Sequence, residues 1–546
     1  MPMKLTKDYT RKNKRAALAV MLALGALLSG CGPARPTATA TPTVSVGSTA
    51  SAQIVPKAGG SLHVSMPAST EAEHPLTVKT REMSSIYGLI FEGLLQSGSG
   101  APAPALAEKM PLSTEGPQLT FTLRKGAKWQ GSGRELQAKD VLFTLDQIQA
   151  LGADCTYAYV LDWVESWQEG TGGTVVLKLK KPFYGALHAL SFPILPWDGG
   201  FDGKTMPAIP YGTGPYVCET FQPGTSIKLK VNPDWWMKPP YIQQIEALPF
   251  SDNATAIKSL VLRQLDAVQT NDLTVAQYRD SGDASVYEYP THTFDYLAVN
   301  FASPDLQDKR MRQAIAYALD RREIAAWAYS NHAIVADTPV PPDSWLYDGK
   351  VLHYNKDIKQ ARSLIEAVGW SANEDGNWTR SPDGMERNLK IRILTNREET
   401  NTLRVDTARL IADQLTAAGI QTEVVTLGWD EYLTKLQEKD FDLALCGSYL
   451  SPVPDLSFLL RTDGSLNIGG WGSADMDAKL DQIAQTAKSE ELRLRMTELQ
   501  GAIIDELPII SLYFRTHSLL TSPYLLGVTG VREESAYANM AQWYLP

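Results

Sequence analysis

Residues 293–322 constrain the fold most, because they place a strand, a turn and a helix in immediate succession. Residues 293–301 alternate apolar and polar side chains and are rich in aromatic and β-branched residues, which predicts an extended strand. The Ser-Pro pair at 303–304 favours a turn, and Asp308 can cap the amphipathic helix that follows. We interpret this stretch as the point where the chain passes from one lobe of the protein into another.

Length and composition limit the class of protein. A chain of 546 residues is too long for one ordinary core, so we expect several domains or one large two-lobed protein. The formal net charge of −10 argues against nucleic acid as a partner, since neutralising phosphates requires concentrated Lys and Arg. The four cysteines are too few for a disulfide framework; they are Cys31, Cys155, Cys218 and Cys446.

The N-terminus has the pattern of a targeting segment. Six basic residues precede the apolar run at 16–28, which is too short to span a membrane comfortably and predicts a signal peptide over residues 1–31. The segment ends Leu-Ser-Gly-Cys, which resembles a bacterial lipobox and implies lipidation of Cys31. Residues 32–57 are rich in Thr, Ala, Ser and Pro without an aromatic residue, and predict a flexible tether. We therefore expect a body that is lipid-anchored outside the cytoplasm, either on the outer face of the cytoplasmic membrane or in a periplasmic space.

Residues 389–446 alternate predicted strands and helices. Strands are predicted at 389–394, 421–427 and 442–446, with helices between them at 402–418 and 429–438. Such alternation is typical of a parallel sheet with helices on its faces. Ligands bind outside the carboxyl ends of the strands in sheets of this kind.

The motifs of common enzymes and metal sites are not found. The sequence has no His-Glu-x-x-His, no Gly-x-Ser-x-Gly and no cysteine cluster with zinc spacing. The glycine-rich run at 211–216 lacks the Lys-Ser/Thr of a phosphate loop and precedes a strand. The Asp-Gly pairs at 375–376 and 383–384 lack the acidic ligands of a calcium loop. We expect no catalysis, no cofactor and no metal.

Several segments have residue sequences that are more specific than their hydrophobic periodicity alone. They are IFEGLL at 90–95, LTFTLRKGAKW at 119–129 with LQAKDVLFTL at 136–145, YGTGPY at 211–216, NPDWW at 232–236, YLAVN at 296–300 with DKRMRQAIAYALDR at 308–321, and PIISLYFRTHSLL at 508–520. Together they resemble the extracytoplasmic solute-binding proteins of the oligopeptide, dipeptide and nickel ABC importers. The resemblance covers nearly all of residues 59–546.

This resemblance implies an α/β fold of the two-lobed, class II periplasmic-binding-protein type, with mixed sheets flanked by helices and a two-strand hinge. Lobe one would comprise residues 58–293 and 508–546, with an extra subdomain at about 91–190, and lobe two residues 294–507. The strand at 508–520 would be the return crossing between the lobes. A helix is expected over 84–95, ending in the IFEGLL segment.

The resemblance also implies a ligand site between the lobes. The loop after the first strand contributes Thr80 and Arg81, and Tyr157 lies where relatives bring an aromatic side chain to the cleft. In peptide-binding relatives the loop corresponding to 447–458 carries an aspartate that captures the amino terminus of the peptide, but here Ser451 stands at that position. The other candidates are mostly aromatic or uncharged: Arg397, Asn401, Trp429, Tyr449, Asn467 and Trp471.

The implied function is that of a monomeric substrate-binding lipoprotein of an ABC importer, which captures peptides and delivers them to a permease and its ATPase. Its other implied partner is the membrane, through Cys31. Because the expected charged anchors are missing, a nickel chelate or an oligosaccharide is the alternative ligand. An anchored receptor that senses peptides is the alternative role.

Overall fold

The computed structural model describes residues 55–69, 71–111, 116–350, 354–381, 384–397 and 402–546, and Val55–Pro546 form one compact unit. Its strands are β1 Ser61–Pro67, β2 Leu95–Gln96, β3 Ala103–Pro104, β4 Gln118–Phe121, β5 Val164–Glu169, β6 Val175–Leu179, β7 Tyr216–Gln222, β8 Ser226–Val231, β9 Gln244–Phe250, β10 Ala267–Thr270, β11 Ser285–Val299, β12 Ala333–Val335, β13 Ser371–Ala372, β14 Trp378–Arg380, β15 Arg387–Asn388, β16 Lys390–Asn396, β17 Gln421–Leu427, β18 Leu443–Tyr449 and β19 Ile509–Thr521. Its helices are α1 Arg81–Tyr87, α2 Ala138–Leu151, α3 Val160–Trp163, α4 Asn253–Val261, α5 Ala276–Asp280, α6 Lys309–Ala318, α7 Arg321–Tyr329, α8 Ile358–Ala367, α9 Leu403–Ala417, α10 Trp429–Gln437, α11 Ser457–Leu460, α12 Ala474–Ile483 and α13 Ser489–Glu506. Among the described residues, no helix has the length and apolar character needed to cross a membrane.

One sheet of eleven strands runs through the molecule in the order β17-β16-β18-β11-β19-β10-β1-β9-β8-β7, with β12 also paired to β19. The two central strands, β11 and β19, span 15 and 13 residues and pair antiparallel. β18 pairs with β11 only from Thr293 onward, and β10 pairs with β19 only from Ser518 onward. The β11–β19 pair is therefore the connection between two halves of the sheet, as the predicted two-strand hinge requires.

The alternation predicted for the second half is confirmed. β16 pairs in parallel with both β17 and β18, and α9 and α10 are the intervening helices. β1 lies between β9 and β10 and is parallel to both, so a β-α-β unit around α4 is also present. β11 begins at Ser285, earlier than the predicted start at 293, because its first residues pair with Thr516–Thr521 of β19.

Apolar side chains fill three clusters. The smallest lies between α4 and β10 and includes Ile257 and Val268. A second lies between β11, β16 and the helices α6 and α9, and includes Ile315 and Ile411. The largest packs the other elements and contains the three described cysteines, which are free and buried: Cys155, Cys218 and Cys446.

A bulge interrupts β11 where the two halves of the sheet meet. The register with β19 shifts between Pro290 and Phe294. Thr291 donates its hydroxyl to the Arg515 carbonyl at 3.0 Å and accepts from the Thr293 amide at 3.1 Å, so local bonds replace the lost ladder. Bulges bend a strand and redirect side chains. This bulge places residue 292 at the junction of the two halves.

A buried ion cluster follows the bulge directly. Asp295 on β11 is only 1% exposed and accepts from Arg515 of β19 at 2.7 and 2.9 Å. Arg404 of α9 reaches the same carboxylate at 3.2 Å and also donates to the Leu445 carbonyl. The carboxylate thus joins both central strands to a helix of the second half, with its charge compensated at the point of burial.

Three of the recognised motifs meet at one carboxylate. Glu92 of the IFEGLL segment accepts from the Thr213 hydroxyl at 2.8 Å and from the indoles of Trp235 and Trp236 at 3.2 and 3.0 Å. Burial outweighs these bonds and raises the pKa of Glu92 to about 7. The YGTGPY and NPDWW segments are therefore tied to IFEGLL by side-chain hydrogen bonds.

The glycines of YGTGPY are required by close backbone approach. Gly214 donates its amide to the Ile90 carbonyl at 2.9 Å, and a Cβ on Gly214 would approach that oxygen to 2.7 Å. A Cβ on Gly212 would overlap the same carbonyl. Neither glycine has a positive φ. The two glycines are thus needed for close contact between chain segments and not for left-handed backbone.

The helix predicted over 84–95 is wrong in its extent. α1 spans Arg81–Tyr87 and stops before the IFEGLL segment. The carbonyls of Leu89 and Ile90 accept from the amides of Tyr216 and Gly214, so the chain leaves the helical path to present them. A contact distant in sequence therefore sets the end of this helix.

Residues within the predicted subdomain form their own small sheet. β4, β6 and β5 pair antiparallel, and α2 packs on them. Asp140 near the start of α2 is fully buried and accepts from the Trp129 indole at 3.1 Å, from Arg134 at 2.7 Å and from the Gln137 amide at 2.8 Å. These bonds give the LTFTLRKGAKW and LQAKDVLFTL motifs an architectural role.

Asp295→Asn should destabilise the protein strongly. The change leaves Arg404 and Arg515 beside a neutral amide, and breaking a buried pair by removing one partner costs about 3–5 kcal/mol. Urea unfolding of both proteins measures the loss. Asp305→Asn is a matched control, because Asp305 also receives two arginines, Arg380 and Arg387, whose side chains are 32% and 43% exposed, so the expected cost is clearly smaller. Equal costs in the two variants would contradict the assignment.

Glu92 should make stability depend on pH. Its folded pKa of about 7 lies above the unfolded value, so the stability it contributes is complete below pH about 4.5 and is lost as pH rises through 7. Relative to Glu92→Gln, the unfolding free energy of the native protein should fall by about 3 kcal/mol between pH 4.5 and 8. Glu108→Gln, an exposed position, controls for the generic loss of a carboxylate. A difference that does not change with pH would refute the prediction.

Candidate functional site

A cavity lies where the bulge of β11 meets the loop after β18. It encloses about 80 Å³, whereas pockets for small ligands typically measure about 300–1,000 Å³. The cavity must therefore widen to admit a ligand. Its walls come from five parts of the chain: residues 98–99 with His188, residues 290–292, residues 339–346, residues 450–456 with Met496, and residues 532–534.

The topology explains this location. β16, β17 and β18 are parallel, so their carboxyl ends share one edge of the sheet. Tyr449 at the end of β18 stands opposite Thr293 of β11, so that edge faces the bulge. The cavity thus lies outside the carboxyl ends of parallel strands, where binding was predicted.

The loop after β18 uses its polar side chains locally. Ser451 is exposed, and its hydroxyl accepts from the Val453 amide at 3.2 Å. Asp455 accepts from the amide and hydroxyl of Ser457 at 3.0 and 2.6 Å, at the start of α11. Both residues line the cavity. Ser451 therefore presents a neutral group where the resemblance expects a carboxylate.

His292 projects from the bulge into the centre of the site. Its Nδ1 lies 3.0 Å from the Leu450 carbonyl oxygen and its Nε2 lies 3.4 Å from Glu534 Oε1. The imidazole stacks on the Tyr449 ring, with centroids 5.5 Å apart and planes at 25°. Tyr449 is otherwise open, with 61% of its surface exposed. Burial alone would lower the pKa of His292, but Glu534, Glu533 and the Leu450 carbonyl raise it above its ordinary value.

The C-terminal segment brings negative charge to the cavity. Glu533 receives Arg81 in a bidentate pair at 2.6 and 3.0 Å, and Ala536 donates its amide to Ser85 at 3.2 Å, so this segment is bound to α1. Glu534 is left facing His292. Burial, and after it the nearby Glu534, raise the pKa of Asp343, while His292 acts in the opposite direction. The site is therefore richer in carboxylates than the predicted residues suggest.

An aromatic group lies beside the cavity around His188. His188 Nδ1 lies 2.8 Å from the Ser97 hydroxyl and its ring stacks on Trp345. Burial lowers the pKa of His188 to about 4, so this histidine is neutral at physiological pH. Tyr157 packs near Tyr159, and burial followed by Cys155 and Tyr449 raises the pKa of Tyr157. Within the described residues no three His, Cys, Asp or Glu side chains converge as metal ligands.

The structure brings together only part of the predicted set. Ser451 lines the cavity, Tyr449 borders it by stacking on His292, Arg81 reaches it through Glu533, and Tyr157 lies near Tyr449. The Thr80 hydroxyl donates to Glu73 at 2.7 Å instead of facing the cavity. Two others, Arg397 and Trp429, are exposed on the carboxyl edge of β16 and β17, beyond the cavity walls. Asn401 lies outside the described residues, as does Cys31.

Asn467 and Trp471 support a loop far from the bulge. The Asn467 amide donates to the Arg461 and Trp471 carbonyls at 3.0 and 2.7 Å and accepts from the Trp471 amide at 3.0 Å. The Trp471 ring packs on Phe301 at 4.9 Å, just beyond the far end of β11. His292 is separated from that end by about 20 Å of strand. The structure thus gives both residues a role in packing and no place at the cavity.

Several cavity residues were not predicted. His292 precedes the predicted crossing by two positions, and the Arg-Glu-Glu run at 532–534 is a visible charge cluster in the tail. Those two signals could have drawn attention to them. His188 and Asp343 carry no comparable signal, because His188 lies in a short 3₁₀ helix and Asp343 in a loop, and the position of both segments depends on distant packing.

Comparison with known proteins agrees with this architecture. The family described as bacterial extracellular solute-binding proteins, family 5 (Middle), matches residues 101–470. The dipeptide-binding protein of Escherichia coli K12 is 25% identical over 400 residues, covering 67% of this chain and 71% of its own. The oligopeptide-binding protein AppA of Bacillus subtilis 168 is 23% identical over 562 residues, covering 98% and 99%. NikZ from Campylobacter jejuni, crystallised with Ni(L-His), superposes with a TM-score of 0.63 at 22% identity over 89% of this chain and 99% of its own. The predicted two-lobed α/β fold is confirmed.

Asn467→Ala should reduce stability without changing the cavity. It removes the hydrogen bonds that fix the loop between α11 and α12, which should cost about 2 kcal/mol in urea unfolding. Asn271→Ala is the control, since exposed Asn271 accepts a single bond from Asn253, and it should change stability by less than about 0.5 kcal/mol. An Asn467→Ala protein as stable as the control would show that the loop does not depend on this amide.

Proposed function

The chain belongs to the bacterial extracellular solute-binding proteins of family 5, and from that premise we propose that it captures short peptides for an ABC importer. The observation that supports this most directly is the cavity at the junction of two halves of the protein joined by two strands. A site at a hinge can close around its ligand and remove it from water. The closed state can then report to a transporter that ligand is present.

The charge of the cavity supports a peptide with a free amino terminus. Asp343 and Glu534 place carboxylates around the space beside Ser451, so the missing aspartate of the loop is offset by residues from elsewhere in the chain. A charge-assisted bond to an ammonium group is strong in a partly buried site. Tyr449 and Tyr157 supply rings on which side chains can pack.

The wider assignment follows the sequence. We propose that Cys31 carries a lipid anchor, that residues 32–57 tether the body to it outside the cytoplasm, and that a permease and an ATPase are the partners of a monomer without catalytic activity. We propose lobe one at residues 58–293 and 508–546, with a subdomain at about 91–190, and lobe two at 294–507. The bulge at 290–294 supports the first boundary, whereas the pairing of Ile509–Tyr513 with residues on the second side of β11 favours a return crossing nearer Phe514.

A ligand screen tests this function. The protein is unfolded and refolded to remove carried ligand, and its thermal unfolding is followed with trialanine, N-acetyl-trialanine, oligosaccharides and the nickel–histidine chelate. A ligand at one hundred times its dissociation constant adds about 2.7 kcal/mol to stability. We expect trialanine to raise the unfolding midpoint clearly and N-acetyl-trialanine to raise it much less.

Two matched variants test whether the ligand binds at this cavity. Tyr449→Ala should reduce the rise caused by trialanine, because it removes the open ring beside the cavity. Tyr524→Ala should not, although Tyr524 is similarly open at 63% exposure and lies elsewhere. A rise with only the chelate or a sugar would keep the fold and replace the ligand class. Equal losses in both tyrosine variants would show that the peptide does not bind at this cavity.

A further inference from the structure

Both nitrogens of His292 face acceptors. Nδ1 lies 3.0 Å from the Leu450 carbonyl oxygen, which can only accept, and Nε2 lies 3.4 Å from a carboxylate oxygen of Glu534. A neutral imidazole carries one N–H, so one of the two contacts would set a lone pair against an oxygen. An imidazolium satisfies both. The geometry is therefore that of a protonated side chain.

The two acceptors belong to opposite walls of the cavity. Leu450 follows β18, and its amide also donates to the His292 carbonyl at 2.8 Å. Glu534 belongs to the C-terminal segment, which Arg81 and Ser85 bind to α1. Separating the walls must break at least one of the two imidazole contacts.

We propose that His292 is a proton-dependent clasp that holds the two walls of the cavity together when its imidazole is charged. Protonation favours the closed cavity and slower ligand release, and deprotonation favours opening. The clasp itself follows from the contacts of His292, while its effect on ligand release rests on the proposed function.

The surrounding charges favour the imidazolium. The titratable and charged groups that face the imidazole across the cavity or flank it are His188, Asp343, Tyr449, Asp455, Arg532, Glu533 and Glu534. Glu533 is neutralised by Arg81, and Arg532 approaches the other oxygen of Glu534 only to 3.7 Å. His188 is neutral, because burial lowers its pKa to about 4. The carboxylates therefore outnumber the free cations around His292.

The direction of the pH effect follows from linkage. Burial lowers the pKa of His292, but Glu534 and the other acceptors outweigh it, so the pKa in the closed form lies above the ordinary value of 6.5. Opening removes acceptors and lowers it again. The closed form is thus favoured fully below the pKa of the open form, and the advantage is lost as pH rises through the higher pKa of the closed form.

Proton NMR titration of the histidine rings tests the clasp without a ligand. The resonance that disappears in His292→Gln identifies the residue. It should titrate above pH 6.5 in the native protein, and Glu534→Gln should lower its midpoint measurably while leaving the imidazole in place. A midpoint at or below 6.5, or one unchanged in Glu534→Gln, would overturn the proposal whether or not any peptide binds.

Dissociation of trialanine tests the consequence. Its rate should rise between pH 6 and pH 9 by up to about tenfold for each unit by which closure raises the pKa of His292. His292→Gln should flatten this dependence, whereas His188→Gln, at a neutral histidine of the same cavity, should keep it. The same slope in His292→Gln would reject a role for the clasp in release. A protein that binds no peptide but shows the expected NMR midpoints would refute the proposed function alone.

Discussion

The structure depends on the antiparallel pair of β11 and β19 and on the ion cluster that fixes it. Every connection of the sheet from β18 to β10 passes through these two strands. Asp295 binds the arginine of one strand partner and the arginine of a neighbouring helix, and it is buried almost completely. Because an unpaired charge in that position would be very costly, the register of β11 against β19 is fixed on the side of the second half.

The bulge beside this cluster is not fixed in register by the ion pairs of Asp295. Between Pro290 and Phe294 the ladder is replaced by bonds of the Thr291 hydroxyl, which can change partner more easily than a row of backbone bonds. Hinges are a few residues that absorb large changes of φ and ψ. A rigid register next to a bulge therefore confines bending to a short stretch, and that stretch carries the side chain at the centre of the cavity.

Sequence periodicity predicted the elements whose shape is decided locally. The alternation of β16 to β18 with α9 and α10 was predicted from apolar spacing alone, and Asp308 caps α6 as its position indicates. The end of α1 was not predictable in this way, because the contact of Ile90 with Gly214 decides it and the two residues are far apart in sequence. The glycines of YGTGPY form a visible run in the sequence, but their spacing does not reveal that they approach the Ile90 carbonyl.

The residues of the site also divide into those whose position follows from local sequence and those whose position depends on distant contacts. Tyr449 and Ser451 follow a predicted strand, and the resemblance to the binding-protein family pointed to the loop that carries them. Asp343 and Glu534 come from a loop and a tail whose positions only the assembled fold defines. Asn467 and Trp471 are the opposite case. Both were candidates for the site, but the Asn467 amide bonds within its own loop and the Trp471 ring packs on Phe301.

The small volume of the cavity links these features to motion. About 80 Å³ cannot hold a tripeptide, so binding requires that the walls separate and close again around the ligand. Besides the two long strands and the bulge, the walls are joined by the contacts of His292 and by the Trp345 amide, which donates to the Ser99 carbonyl at 2.7 Å, and these contacts can be broken without unpairing a strand. A single charged hydrogen-bonded contact is worth about 1.5–3 kcal/mol, which is comparable to the few kcal/mol that separate open and closed states of a hinged protein. On the proposal made above, the charge state of the His292 imidazole biases the balance between them.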